Sequence, residues 1–297
     1  MLDSLQVHTI YLKLFDVAWD ASTQHAIPVA KLSALPTGIV SKYKIIPTVF
    51  ITNESIQKTD SSALNTLAFK VHGLIRDICA INKISHPGEI QIDCDWTTST
   101  RDKYFSLLKS IAKLNPATTL SATIRLHQVK YVSASGIPPV DRGLLMCYNM
   151  GNLKNPATKN SILDVEEFRK YTGNLATYPL PLDVALPLFD WKVLFRRNEY
   201  KGLIQDLPDE ALTASFCRQQ ANRSEILTDT LLYGYDLKKG DILRSEQSNF
   251  EDIVSVAEEV NSRIKNTNMT VALYHLDSVT LSKYTLHELE SIYSFFR

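Results

Sequence analysis

Glu89-Ile90-Gln91-Ile92-Asp93-Cys94-Asp95-Trp96-Thr97 reads as a buried strand that ends in two acids, an aromatic and a hydroxyl. Gly88, directly after Pro87, marks the turn that starts it. Ile90, Ile92 and Cys94 alternate with Gln91, Asp93 and Asp95, so one face is apolar and the other carries both carboxylates. Two aspartates on one side of a sheet cost free energy unless something uses or satisfies them. Two readings follow: a functional pair, or acids that hydrogen-bond inside the fold and compete for protons.

Upstream, Thr9 to Val17 is a strong strand ending near Asp16, Trp19 and Asp20, preceded over residues 3–8 by what reads as the tail of a helix. Ala30-Lys31-Leu32 with Pro36-Thr37-Gly38 is a short extended piece and a turn, and Ile45 to Ile51 is the next strand, ending in Thr52-Asn53. Leu67, Val71, Leu74, Ile75 and Ile78 predict a helix over 64–81. Downstream, Tyr104, Phe105, Leu107, Leu108 and Ile111 predict a helix over 102–114. Strands follow at 120–126, with His127 and Gln128 at the end, and at 143–149. A short helix at 165–171 precedes a proline-bracketed strand at 180–188. The chain closes with a helix over 250–264, a strand over 270–275, and a helix through Leu286, Leu289 and Ile292.

Short apolar strands alternating with helices argue for an α/β fold with parallel pairing and right-handed crossovers. Polar and aromatic groups recur at strand C-terminal ends: Asp16 and Trp19, Asn53, Asp95 and Trp96, His127 and Gln128, Tyr148 and Asn149, His275. A TIM-type (β/α)8 barrel puts its site at that face. About seven strands are legible where this fold has eight, and the helix-like start places the first strand before residue 1. Between 188 and 248 the rhythm breaks, with a basic hairpin carrying Lys192, Arg196, Arg197 and Lys201. The expected organisation is one barrel domain over 1–297. An insertion at 188–248, after the seventh strand, forms a hairpin and irregular subdomain that overhangs the mouth.

With 44% hydrophobic and 22% charged residues, the 297-residue chain has the composition of a soluble globular protein. Lys plus Arg equals Asp plus Glu at 32 each, and no basic run interleaves with aromatics, which argues against a nucleic-acid partner. No apolar run is long enough to span a bilayer, and Met1-Leu2-Asp3-Ser4 lacks the basic start and apolar core of a signal peptide. Cys79, Cys94, Cys147 and Cys217 are scattered, so neither a disulfide scaffold nor a metal site is expected. Gly73 and Gly88 stand alone, with no phosphate loop or nucleophile elbow, and no cofactor is implied. Oligomeric state is not encoded in any of these features.

Asp93-Cys94-Asp95-Trp96-Thr97 resembles the second half of the family-18 glycoside hydrolase (chitinase-like) signature Asp-x-x-Asp-x-Asp-x-Glu. Met146-Cys147-Tyr148-Asn149 resembles that family's Met-x-Tyr-Asp/Asn motif two strands later, and Leu182 to Leu188 its seventh-strand segment before an inserted subdomain. The whole chain resembles an uncharacterised bacterial branch of these barrels, often made as lipoproteins, which implies export to the periplasm or cell surface. In the family the signature's final Glu protonates the glycosidic oxygen, and the preceding Asp orients the substrate's acetamido group as internal nucleophile. Carried over, Asp95 is the orienting acid, Asp93 its inner partner, and Tyr148 with Asn149 the support. The acid's position holds Thr97, whose hydroxyl does not donate protons near neutral pH, and Ile90 stands at the earlier acid. The resemblance therefore implies a barrel that binds a glycan or hydrolyses it by a changed acid, Asp95 being the nearest replacement. The alternative is a non-catalytic cell-surface or periplasmic interaction protein that uses the barrel as scaffold.

Trp96, Trp19 and Tyr148 suit stacking on sugar faces, or ordinary packing under helices. His127 and His275 read as acid/base groups or as structural hydrogen-bonders, and Asp16 is similarly placed. The expected catalytic set is thus Asp95, Asp93 and Tyr148. Asn149, Trp96, Thr97, Asp16, His127, Gln128 and His275 complete the expected substrate contacts.

Overall fold

A computed structural model describes residues 1–36, 38–264, 266 and 268–296. The main sheet draws on β1 (Thr9–Asp20), β2 (His25–Val29), β3 (Lys44–Ile51), β4 (Glu89–Asp93), β5 (Thr119–Arg125), β6 (Arg142–Met146) and β7 (Leu182–Pro187). A second sheet is built from β8 (Asp190–Arg196), β9 (Glu199–Ile204), β10 (Cys217–Gln220), β11 (Arg223–Ile226) and one later strand. The hairpin β12 (Thr230–Leu232) and β13 (Tyr235–Leu237) stands apart, β14 (Ile242–Gln247) closes the second sheet, and β15 (Val271–Tyr274) returns to the first. The strand orders are β15-β7-β6-β5-β4-β3-β1-β2 and β10-β11-β14-β8-β9. Parallel pairs β1–β3, β3–β4, β4–β5 and β7–β15, separated by helices, make the larger sheet that of a TIM-type α/β barrel; β2 pairs antiparallel with β1.

The alternation in β4 sorts its faces. Ile90 and Ile92 are buried, as are Leu67, Val71, Ile75 and Ile78 of the helix Leu64–Ile81 and Tyr104, Leu107, Leu108 and Ile111 of the helix Arg101–Leu114. These two helices pack on each other, and the buried stripes are the ones their spacing predicts. On the other face of β4, Glu89 and Gln91 stand in register with Thr119 and Ser121 of β5, and Asp93 accepts a hydrogen bond from the Thr123 side chain. Glu89 Oε1, Gln91 Nε2 and Ser121 Oγ are buried with no hydrogen-bond partner among the described residues. That face is polar along its whole length.

Some expected elements differ. Residues 2–6 form turns rather than a helix tail, closed by Leu5 N donating to Met1 O and Val7 N donating to Leu2 O. β1 runs to Asp20 because β2 supplies a pairing partner for Asp16 to Asp20, a hairpin that no turn dipeptide announces. Of the expected turn at 36–38, Thr37 lies outside the described residues. The strand expected to run to Asn149 stops at Met146. In the hairpin, Arg197 and Asn198 both have positive φ (54° and 63°), the conformation a tight two-residue connection requires. Its basic side chains divide: Lys192 is buried and donates to Leu207 O at 2.7 Å, Arg196 grips Asp241 through two hydrogen bonds of 2.8 Å, and Arg197 and Lys201 are exposed. No helix among the described residues is long and apolar enough to cross a membrane.

The chain divides into two compact units: Met1–Leu145 with Asn174–Asp183 and Asn266–Met269, and Met146–Gly173 with Val184–Lys265 and Thr270–Arg297.

Candidate functional site

In the first unit the candidate residues gather where β4 and β5 end. Asp93 closes β4, and its Oδ1 accepts from Thr123 Oγ1 at 2.6 Å. Asp95, two residues on, accepts from Arg125 through both oxygens, with Arg125 Nε on Oδ1 and Arg125 Nη2 on Oδ2 at 2.6 Å. Thr123 and Arg125 are themselves two residues apart on β5, so both acids meet the same edge of the sheet. Burial pushes the Asp93 carboxyl up to about 6, against the Thr123 hydrogen bond, with the charge of Asp95 adding to the rise. Asp95 is less buried and has a bidentate cation. The two carboxylates of the motif therefore differ sharply in surroundings.

Thr97 is exposed and belongs to the turn that leads into the helix Arg101–Leu114. Its backbone oxygen accepts from Arg101 N at 2.9 Å, its backbone N donates to Thr100 Oγ1 at 2.9 Å, and its hydroxyl lies 2.9 Å from Ser99 Oγ. Those contacts are helix-start hydrogen bonds, which threonine and serine make in place of water. Asp16, on β1, is paired with Lys13 at 3.1 Å, and its charge reaches Asp93. His127 is exposed; the surrounding protein and the Arg125 guanidinium hold its pKa below the usual histidine value, while Asp95 opposes them.

Two expected contacts are corrected by burial. Trp96 is 2% exposed, stacked on Tyr104 at 5.2 Å and edge-on to Phe105, with its Nε1 donating to Ser135 O at 2.9 Å. No ring face remains for a sugar; the indole is core. Gln128 is fully buried, and it accepts from Arg125 N at 2.8 Å while donating to Trp96 O at 3.2 Å. It ties together the backbones that carry Asp95 and Arg125. Trp19 lies under the Lys58 ammonium at 5.8 Å from the ring centre.

The second unit holds the other motif. Tyr148 is buried and stacks on Tyr274 with ring centres 5.3 Å apart and planes 8° from parallel. Phe189 meets both rings edge-on, at 5.7 and 5.6 Å, and His275 lies over Phe189 at 6.2 Å. Tyr274 is 48% exposed, so this small aromatic stack reaches solvent. Asn149 follows with φ 55°, donates its N–H to Ile162 O at 2.8 Å, and keeps a buried Oδ1 with no partner among the described residues. Such a stack offers apolar ring area of the kind C–H groups pack on, and the amide beside it can accept a hydrogen bond.

Four residues the sequence did not point to enter these groups: Thr123, Arg125, Phe189 and Tyr274. Thr123 and Arg125 share a face by strand alternation, but their pairing with the acids depends on the β4–β5 register, which spacing along the chain does not encode. Tyr274 precedes the expected His275 by one residue and ends its strand.

The sequence matches no family model and no curated protein. Solved structures do match. A chitinase from Bacteroides thetaiotaomicron is 10% identical, with a TM-score of 0.58 over 99% of this chain and 89% of that one. The spore cortex-lytic enzyme SleL of Bacillus cereus is 12% identical, with a TM-score of 0.52 over 100% of this chain and 69% of its own. A GH18 chitinase from Pseudoalteromonas aurantia is 10% identical, with a TM-score of 0.50 over 99% and 95%. At that identity the likeness concerns the path of the chain, and it shows that this protein has the fold of the chitinase-like family-18 barrels.

Proposed function

We propose that this protein is a glycan-binding barrel that does not hydrolyse by the chitinase route. One observation carries the reading: the motif's proton-donor position is Thr97, while both oxygens of the acid before it are engaged by Arg125. A threonine hydroxyl transfers no proton to a leaving group near neutral pH. A carboxylate whose two oxygens both accept from one guanidinium is committed to that pair and poorly placed to present a proton to a leaving group. In the first unit Asp93 and Asp95 are the proposed polar contacts, with Asp16 and His127 at the rim. In the second unit Tyr148, Tyr274, Asn149 and His275 are the proposed sugar-facing group. Export to the periplasm or cell surface goes with this reading.

The test is a glycan array and a reducing-end release assay on the wild type, Asp95→Asn and Tyr274→Ala. The wild type is expected to bind at least one glycan, to release no reducing ends, and to lose about tenfold in affinity, about 1.4 kcal/mol, on Tyr274→Ala. Turnover that disappears in Asp95→Asn would instead make the protein a hydrolase with a relocated acid. Failure of all three proteins to bind any sugar would leave the scaffold reading.

A further inference from the structure

The smaller sheet carries a buried ion pair with an unusual set of partners. Arg244 and Glu246 lie two residues apart on β14, on one face, and are 0% and 2% exposed. Arg244 Nε donates to Glu246 Oε1 at 2.7 Å, while its Nη1 and Nη2 donate to the backbone oxygens of Asn155 and Leu153 at 2.7 and 3.0 Å. Glu246 Oε2 accepts from Ser161 Oγ at 2.5 Å and from Trp191 Nε1 at 2.7 Å.

The desolvation of an ion pair this deep largely offsets its attraction, and apolar residues of similar volume would hold the sheet at least as well. Its distinctive property is direction. The carboxylate and guanidinium fix where their partners point, and those partners lead to the aromatic stack. Trp191 packs on Phe189 with ring centres 5.2 Å apart, and Phe189 packs edge-on against Tyr148 and Tyr274. The other arm runs through residues 149–161. Arg244 grips the middle of that loop and Glu246 holds Ser161, whose backbone oxygen accepts from Gly151 N at 3.2 Å, beside the Asn149–Ile162 hydrogen bond. All of these residues belong to the second unit.

We propose that Arg244 and Glu246 are positioning residues for the Tyr148–Tyr274 stack, acting through Trp191 and Phe189 on one side and through the 149–161 loop on the other. The functional half of this proposal rests on the glycan-binding reading; the structural half does not.

The deciding variant is Arg244→Met with Glu246→Leu, which removes the charges while keeping volume. Three quantities are read: the thermal midpoint, the indole N–H resonance of Trp191 with the ring resonances of Tyr148 and Tyr274, and affinity for a glycan that the wild type binds. The double variant is expected to stay folded, to shift all three sets of resonances, and to bind about tenfold more weakly, with Trp191→Phe adding little on top because the effects share one path. Glu246→Gln, which still offers Trp191 an acceptor, should restore most of the affinity relative to Glu246→Leu. Unchanged Tyr148 and Tyr274 resonances in a folded double variant would overturn the proposal, as would unchanged affinity. If the double variant fails to fold, Trp191→Phe alone must shift the same tyrosine resonances, and no shift there overturns it equally. If the wild type binds no glycan, the functional reading falls and the resonances still decide the positioning.

Discussion

Asp93 and Asp95 are alike in the sequence and unlike in the structure. Asp95 meets the Arg125 guanidinium, whereas Asp93 has a neutral hydroxyl and a pKa raised from 3.8 to about 6. A raised carboxyl pKa means that the folded protein binds the proton more tightly than the unfolded chain. The stability this contributes is full below about pH 4 and is lost as pH rises through about 6. The shift corresponds to about 3 kcal/mol at most. Asp93→Asn keeps an acceptor for Thr123 and carries no charge, so in urea unfolding it should be more stable than the wild type by about 1–3 kcal/mol near pH 7.5. The difference should close below pH 4. A gap that stays constant with pH would show that Asp93 is not the titrating group.

At the scale of elements, the motif following β4 serves two purposes at once. Asp93 and Asp95 project to the polar side, while Trp96 between Asp95 and Thr97 turns into the core and closes over Tyr104 and Phe105. Trp96→Ala should therefore cost about 3–5 kcal/mol in denaturant unfolding, the range for large aromatics removed from a core. In a variant kept folded at low temperature, any glycan affinity should stay within about twofold of the wild type. A selective loss of affinity without loss of stability would reinstate Trp96 as a sugar contact. Helix starts account for other polar residues at strand ends. Asn53 opens the helix Asn53–Lys58, which Thr52 caps, and His127 and Gln128 sit in the first turn of Leu126–Lys130. A polar residue at a strand end can open or cap the next helix as well as belong to a site.

For the whole molecule, we propose that residues 188–248 form a subdomain with a hydrophobic core of its own. Ile204, Leu207, Leu212, Cys217, Ile226, Leu237 and Leu243 make one buried cluster, drawn entirely from the stretch between β9 and β14. Leu243→Ala should cost about 2–5 kcal/mol locally and speed amide exchange across β8 to β14, leaving β1, β3, β4 and β5 protected as before. Uniform loss of protection along the chain would mean that the smaller sheet has no separate cooperative unit.

The sequence by itself determined the period of each element: alternation in β4, helical stripes over 64–81 and 102–114, and apolar strands spaced as a parallel barrel requires. These are local properties, because a side chain's direction follows from its position along a helix or strand. It also determined which residue stands two places after Asp95, since Thr97 is threonine whatever surrounds it. Only the tertiary structure decided which acid meets a cation, which aromatic is core, and which reaches solvent. Arg125 reaches Asp95 across 30 positions of chain, Trp96 closes on Ser135 across 39, and Tyr274 stacks on the far earlier Tyr148. Those outcomes depend on strand register and on loops folding over one another, and no spacing along the chain carries that information.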